Sequence, residues 1–180
     1  MPAVPPTRRR RFRRSLAGPG RKDGLIVISL TVLRVTLNEL DQAVPLFDRY
    51  RQFYGQPSDQ AAARGFLSER LQRQESAIYL AVDEETGQAV GFMQLYPTFS
   101  SISIRHSWIL NDLFVSEEAR GQGAGRLLLK AAKKLAEETG AKGLSLSTAV
   151  DNVTAQKLYE SFGFVKDTEF YHYDLRTASV

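Results

Sequence analysis

The 180-residue sequence contains no cysteine. Disulfides, thiolate metal sites and cysteine nucleophiles are therefore excluded. Histidine is nearly absent: His106 and His172 stand far apart with no metal-ligand spacing, so no metal is expected and each reads as a surface or core-edge residue. No apolar run approaches the ~18–20 residues of a membrane-spanning helix, so no membrane partner is expected. Acids are missing from the first 22 residues, which hold eight of the 24 Lys and Arg. The remainder keeps 16 basic and all 20 acidic residues, a formal −4, although the whole chain carries +4. The basic character thus belongs to a tail. A nucleic-acid-binding domain would carry its basic patch on the fold, so no nucleic-acid partner is expected there.

Residues 1–22 combine Pro, Gly and an Arg run, a composition that cannot build a core and reads as a disordered basic tail. Such a segment could touch nucleic acid or anionic lipid, or act as an organellar transit peptide. A secretory signal fits poorly, because Lys22 and Asp23 directly precede the apolar run Leu25–Leu33 and no small-residue cleavage site follows. We read the tail as a solvated extension and expect a cytoplasmic protein. Residues 23–180 are enough for one domain with a real core.

Along that domain, Leu25–Val35 reads as a first strand. A helix from about Glu39 to Tyr54 follows, capped by Thr36 or Asn38, with Leu40, Val44, Phe47, Tyr50 and Phe53–Tyr54 on one face. After the break at Gly55–Ser58, a second helix runs to about Arg73, capped by Ser58 or Asp59. Ala77–Val82 and Ala89–Leu95 form a hairpin around the turn at Glu84–Gly87. Tyr96–Ser101 reads as a loop, and Trp108–Val115 as the central strand. A helix from the glycine turn to Gly140, a strand over Leu144–Thr148, a short helix over Thr154–Phe162 closed by Gly163, and a hairpin of Val165–Lys166 with Glu169–Leu175 complete the chain. The order β-α-α-β-β-β-α-β-α-β-β predicts an α/β (α+β) fold with one mixed sheet.

The most informative stretch is Arg120-Gly121-Gln122-Gly123-Ala124-Gly125-Arg126, between the central strand and an amphipathic helix. Amides at a helix start, on a turn free of bulky side chains, suit an anion such as a phosphate. A tight turn alone is the simpler alternative, but three alternating glycines exceed what a turn requires. A Walker A loop would end in Gly-Lys-Ser/Thr, whereas Gly125 is followed by Arg126-Leu127. A dinucleotide fingerprint beginning at Gly121 and Gly123 would need a third glycine at 126, and the turn comes too late in the chain for a first βαβ unit.

The arrangement Arg-x-x-Gly-x-Gly (Arg120, Gly123, Gly125) on a strand-to-helix turn, followed by Asn152…Tyr159…Gly163-Phe164, resembles the GCN5-related N-acetyltransferase (GNAT) superfamily over roughly Val32–Leu175. Gln94–Ser101 and Leu110–Val115 look like its diamine/histone-acetyltransferase-like branch. The resemblance implies a mixed, mostly antiparallel sheet of about seven strands with four helices. It implies acetyl-CoA as co-substrate, transferred directly to a primary amine in a ternary complex, and the acceptor is expected to be a small di- or polyamine-like molecule. A protein lysine or N-terminal acetyltransferase and a non-catalytic acyl-CoA-binding module are the alternatives. Family members often dimerise, so a homodimer is possible.

Residue by residue, the resemblance assigns the pyrophosphate to Arg120, Gly121, Gln122, Gly123, Ala124, Gly125 and Arg126. It assigns the pantetheine arm to the main chain of Leu113, Phe114 and Val115, where the central strand and the next one splay apart. Asn152 either bonds that arm or caps the helix, or does both. Tyr159 is the candidate general acid for the thiolate leaving group, or an aromatic on a packed helix face beside Leu158 and Phe162. Asp112 is the candidate base for the acceptor ammonium, since an amine of pKa ~10.4 must lose a proton before it attacks. A structural Asp bonded to loop amides is the alternative. Related polyamine enzymes carry a Glu-Asp pair where this chain has Asn111-Asp112, which leaves the base assignment open, with Glu117 and Glu118 as runners-up. Tyr54, Tyr96 and Asp112 are the acceptor-site candidates, with Tyr50, Phe53, Asp59 and Phe99 nearby in the same segments. Aromatic walls with an acid suit an organic ammonium, and core packing accounts for the aromatics nearly as well.

Overall fold

The structure is a computed structural model and describes residues 21–22, 25–26, 29–175 and 177. Up to residue 20, the tail expected over 1–22 lies outside the described residues. Arg21–Lys22 (β1) pairs antiparallel with Leu25–Ile26 (β2). The expected first strand is therefore divided: its second part, β3 (Leu30–Arg34), joins the main sheet, and residues 27–28 lie outside the described set.

That sheet has the order β3-β4-β5-β6-β7, with β4 at Ala77–Asp83, β5 at Ala89–Ser100, β6 at Arg105–Val115 and β7 at Leu144–Leu146. Its neighbours run antiparallel except for the parallel pair β6–β7. Helices α1 (Leu40–Phe53) and α2 (Gln60–Gln72) pack on one face, and α3 (Ala124–Glu138) on the other, with α4 (Val153–Phe162) beside α3. Strand β4 is buried along its whole length, and its alternation divides it between the two cores. Ile78, Leu80 and Val82 meet Leu40, Val44, Phe47 and Leu67, while Ala77, Tyr79 and Ala81 meet Leu128, Leu129, Ala132 and Leu135.

Helix starts follow from local chemistry. Helix α1 has Glu39 as its N-cap rather than Thr36 or Asn38, and no side chain caps it; the Glu39 carboxylate instead accepts from the Thr36 amide at 2.8 Å and hydroxyl at 2.6 Å, which fixes the turn before the helix. Asp59 caps α2 by accepting from the Ala62 amide at 2.9 Å. The joint between these helices is held by Asp48, which is 2% exposed and accepts from Ser58 Oγ (2.7 Å), the Asp59 amide (2.8 Å) and Gln52 Nε2 (3.0 Å).

Two expectations are corrected. Tyr96–Ser100 is strand rather than loop. Strand β4 ends at Ala77, opposite Leu95, so β5 has an open edge from Tyr96 onward, where Pro97 is tolerated without its N–H. The main sheet has five strands rather than about seven, because residues 164–175 form no strand. Their alternation of apolar residues mimics a strand, but they make no sheet ladder, and Val165, Phe170, Tyr171, Tyr173 and Leu175 are exposed.

Candidate active site

Strands β6 and β7 pair only from Trp108↔Leu144 to Leu110↔Leu146. Beyond Leu110 the two diverge, and β6 from Asn111 to Val115 has no neighbour on that side. A cleft of about 620 Å³ opens there. Its floor is Leu110, Asn111, Leu113, Phe114 and Val115. One wall is α1 with Tyr50, Phe53 and Tyr54. The opposite side is formed by Ser147, Thr148 and the α4 residues Asn152, Thr154, Ala155, Leu158 and Tyr159. Its far end is the glycine turn with Ala119, Arg120, Gly121, Gly123, Ala124, Gly125 and Arg126.

The turn is built by its glycines. Gly121 (φ 76°) and Gly123 (φ 90°) are left-handed, and Gly123 is the N-cap of α3. Without a side-chain cap and with no acid in the first turn, the helix start keeps its positive end uncompensated. Gly125 serves packing: a Cβ there would stand 3.0 Å from Leu158 Cδ2, so its absence lets α4 approach α3. Arg120 holds the loop, donating from Nε to the Val115 carbonyl at 3.3 Å and pairing with Glu117 at 3.5 Å. Arg126 donates to Ser161 Oγ at 2.9 Å and so ties α3 to α4. Gln122 turns away, donating to the Glu118 carbonyl at 3.1 Å, and is the one residue of the predicted turn outside the cleft lining.

Asn152 caps α4 by accepting from the Ala155 amide at 3.2 Å, which leaves its NH₂ for a ligand in the cleft it lines. Tyr159 is 9% exposed, packs edge-on against Phe164 at 5.9 Å, and also lines the cleft, so its aromatic-core and cleft readings hold together. Burial first, then Tyr54, raises its pKa and keeps the phenol protonated.

Asp112 is elsewhere. The pairing shifts between Gln94↔Asp112 and Leu95↔Leu110, leaving Asn111 as the extra residue of a β-bulge. Leu110 and Leu113 therefore pack on the α3 face, while Phe114 packs on the α1 face. Asp112, two residues before Phe114 and opposite Gln94, is 3% exposed and outside the cleft lining. Asn111 donates to its Oδ1 at 3.0 Å, and Oδ2 has no hydrogen-bond partner. Burial raises its pKa against the lowering effect of Tyr50 and Asn111. Tyr96 also lies behind the wall: its hydroxyl accepts from Gln94 Nε2 at 2.6 Å, and burial, then Asp112, pushes its pKa up to about 12. Of the three acceptor-site candidates, only Tyr54 lines the cleft. Asp59 is a helix cap, and Phe99 is exposed, contacting His106 at 4.7 Å. Glu117 and Glu118 lie on a 3₁₀ turn, paired with Arg120 and Arg49 respectively.

The sequence places Tyr50 on the apolar face of α1 and among the aromatics of the acceptor side, without a chemical role. In the fold it lines the cleft, stands edge-on to Tyr54 at 5.1 Å, and has its pKa raised, by burial first and then by the Asp112 charge. Its place one helical turn before Tyr54 was the available signal.

A splayed strand edge, a glycine turn opening a helix and a buried phenol thus meet in one cleft. The model of the Acetyltransferase (GNAT) family matches residues 40–164, and the chain belongs to that family. It is 53% identical over 131 residues to YhfO, an uncharacterised N-acetyltransferase of Bacillus subtilis, covering 73% of this chain and 87% of that protein. It is 34% identical over 125 residues to a probable acetyltransferase of Haemophilus influenzae, covering 69% and 83%. A crystal structure of a probable acetyltransferase superposes with a TM-score of 0.79 at 49% identity, covering 83% of this chain and 99% of the other. The protein is an acetyl-CoA-dependent N-acetyltransferase. Among the described residues no cluster of metal-ligating side chains occurs, and no helix is long and apolar enough to cross a membrane.

Proposed function

We propose that the protein moves the acetyl group of acetyl-CoA to the primary amine of a small molecule, by direct transfer in a ternary complex without a metal. The observation that carries this is the continuity of one cleft, from the α3 N-terminus along the unpaired edge of β6 to Tyr159 and the aromatic wall of α1. The amides from Gly121 to Arg126 receive the pyrophosphate, whose charge matches the positive helix end. The main chain of Leu113–Val115 bonds the pantetheine amides as an added strand would, and Asn152 contributes its NH₂. Bound acetyl-CoA supplies the thioester. Tyr159, protonated at neutral pH, is the donor to the departing sulfur. Asp112 is the terminal acceptor of the amine proton, and burial makes it a stronger base than a surface Asp.

Tyr54 and its neighbours Tyr50 and Phe53 form an aromatic surface suited to an organic ammonium, and the buried negative charge behind them adds attraction. These features favour a di- or polyamine-like acceptor. A reaction that consumes acetyl-CoA fits the cytoplasm. The basic segment 1–22 is read as an extension outside the catalytic body of 23–180. The exposed apolar side chains of residues 165–175 support a homodimer, which light scattering would detect. The decisive experiment is a panel of di- and polyamines, amino acids, aminoglycosides and lysine- and N-terminal-amine-bearing peptides, with CoA release as readout. Turnover confined to peptide substrates would overturn the small-molecule reading.

A further inference from the structure

Behind the α1 wall, Gln94 and Asp112 stand opposite each other on adjacent strands, 0% and 3% exposed. Each keeps one oxygen without a partner, Gln94 Oε1 and Asp112 Oδ2. A carboxylate so enclosed cannot meet a substrate amine directly. Tyr50 links the two: it lines the cleft and lies within hydrogen-bonding reach of the carboxylate, although no well-formed bond ends on Oδ2. Asn111, the bulged residue, fixes the other carboxylate oxygen at 3.0 Å.

Resting on the amine-acetyltransferase reading above, we propose that Tyr50 is the catalytic residue that takes the proton from the acceptor ammonium and relays it to Asp112. In this step the ammonium N–H bond breaks as a new O–H bond forms on Tyr50 Oη. The original Tyr50 O–H proton moves to Asp112 Oδ2. The amine ends neutral with its lone pair free, Tyr50 ends as a neutral phenol, and Asp112 ends as a carboxylic acid. Charge balances, because one cation and one anion become two neutral groups.

The surroundings suit a relay. Tyr54 faces Tyr50 on α1, while Gln94 and Tyr96 of β5 and Asn111 of β6 surround the carboxylate. Arg70 of α2 acts on Tyr96, and no cation contributes to the shift at Asp112. Burial and the adjacent carboxylate keep Tyr50 protonated at rest, so it cannot act as a preformed phenolate and must pass its own proton on as it receives another. Asn111 is a positioning residue in this scheme.

The test compares wild type and Tyr50→Phe on two amines of one skeleton: an alkyl primary amine that the wild type accepts, and its fluorinated counterpart, already neutral at pH 7.5. The relay predicts that Tyr50→Phe lowers kcat/KM for the alkylamine by about 10²-fold or more, the range of a lost general base. For the fluorinated amine the loss should stay below about threefold, because no proton has to be removed before attack. Asp112→Asn should show the same discrimination, and the double variant should lose no more than the worse single one. Thermal midpoints and acetyl-CoA affinity verify that each variant is folded. Equal losses on both amines would overturn the relay while leaving the acetyltransferase reading intact. A wild type that acetylates no amine would overturn that reading, and the relay with it.

Discussion

Asp112→Asn is expected to abolish efficient acetylation of amines that are charged at neutral pH and at the same time to stabilise the fold. In the wild type, two buried oxygens on residues paired across β5 and β6, Asp112 Oδ2 and Gln94 Oε1, lack partners. An asparagine keeps the oxygen that accepts from Asn111, and its new NH₂ can donate to Gln94 Oε1. Leaving a buried polar atom unsatisfied costs about 1–3 kcal/mol, so a gain of about 1–3 kcal/mol is expected near neutral pH. For a domain of this size that is a rise of roughly 2–12 °C in Tm. The sign of the pH dependence follows from the raised pKa of Asp112. At pH values below the unfolded carboxyl's ~3.9, Asp112 is protonated in both states and the titration contributes nothing. As pH climbs from there through the folded value, the unfolded state releases its proton first, and the wild type loses stability that the asparagine variant keeps. The Tm difference should therefore widen from pH 4 to a plateau above the folded pKa. Differential scanning fluorimetry at pH 4, 6 and 8 measures it. A variant that is no more stable than wild type at pH 8, or a difference that does not change with pH, would refute the reasoning.

Other expectations follow from the same geometry. Tyr159→Phe should reduce kcat by about 10²-fold or more with little change in acetyl-CoA affinity, since the ring contact with Phe164 is kept; single-turnover kinetics and calorimetry separate the two. Gly123→Ala adds a methyl at φ 90°, where nothing lies within 4 Å, so the cost is backbone strain of about 1 kcal/mol or more rather than a clash; Tm should fall, and acetyl-CoA binding should weaken because the residue lines the cleft. Asp48→Ala should destabilise by roughly 2–4 kcal/mol, read by urea denaturation, because it strands Ser58 and the Asp59 amide. Burial pushes the Asp48 pKa up, but hydrogen bonds from Ser58 and the Asp59 amide, the Arg51 charge and Gln52 together hold it low. The stability it contributes should thus be present above ~3.9 and be lost as pH falls through its folded pKa.

Local signals in the sequence are sufficient where local physics decides the outcome. Four helices are legible, and so are the termini set at single residues, Asp59, Asn152, Gly123 and Gly163, because caps and left-handed glycines are local chemical events; the start of α1 is not, since its N-cap Glu39 makes no side-chain cap. The strand over Tyr96–Ser100 was missed because Pro97 reads as a breaker until β4 is known to end opposite Leu95. The last hairpin was over-read because alternation says nothing about a partner edge. Asp48 escaped notice because a polar residue on an amphipathic helix looks solvated until the turn at Ser58–Asp59 folds over it.

The site divides along the same line. The glycine turn, Asn152 and Tyr159 share the cleft that their motifs suggested, because each belongs to a helix start or face whose direction is local. Asp112 does not, and the cause is one residue. With strict alternation Leu110, Asp112 and Phe114 would share a face; the bulge at Asn111 sends Leu110 to the α3 core and leaves Phe114, and Asp112 with it, toward α1. The bulge thereby separates the carboxylate from the strand edge proposed to hold acetyl-CoA and sets it beneath Tyr50. A base in the cleft would be hydrated and weak, whereas one behind the wall is desolvated and basic but needs an intermediary. If the relay holds, deleting the bulged Asn111 keeps Asp112 opposite Gln94 and on the α1 side, so Tyr50→Phe should still lower kcat/KM for an alkylamine in that background, and a silent Tyr50→Phe there would refute the relay.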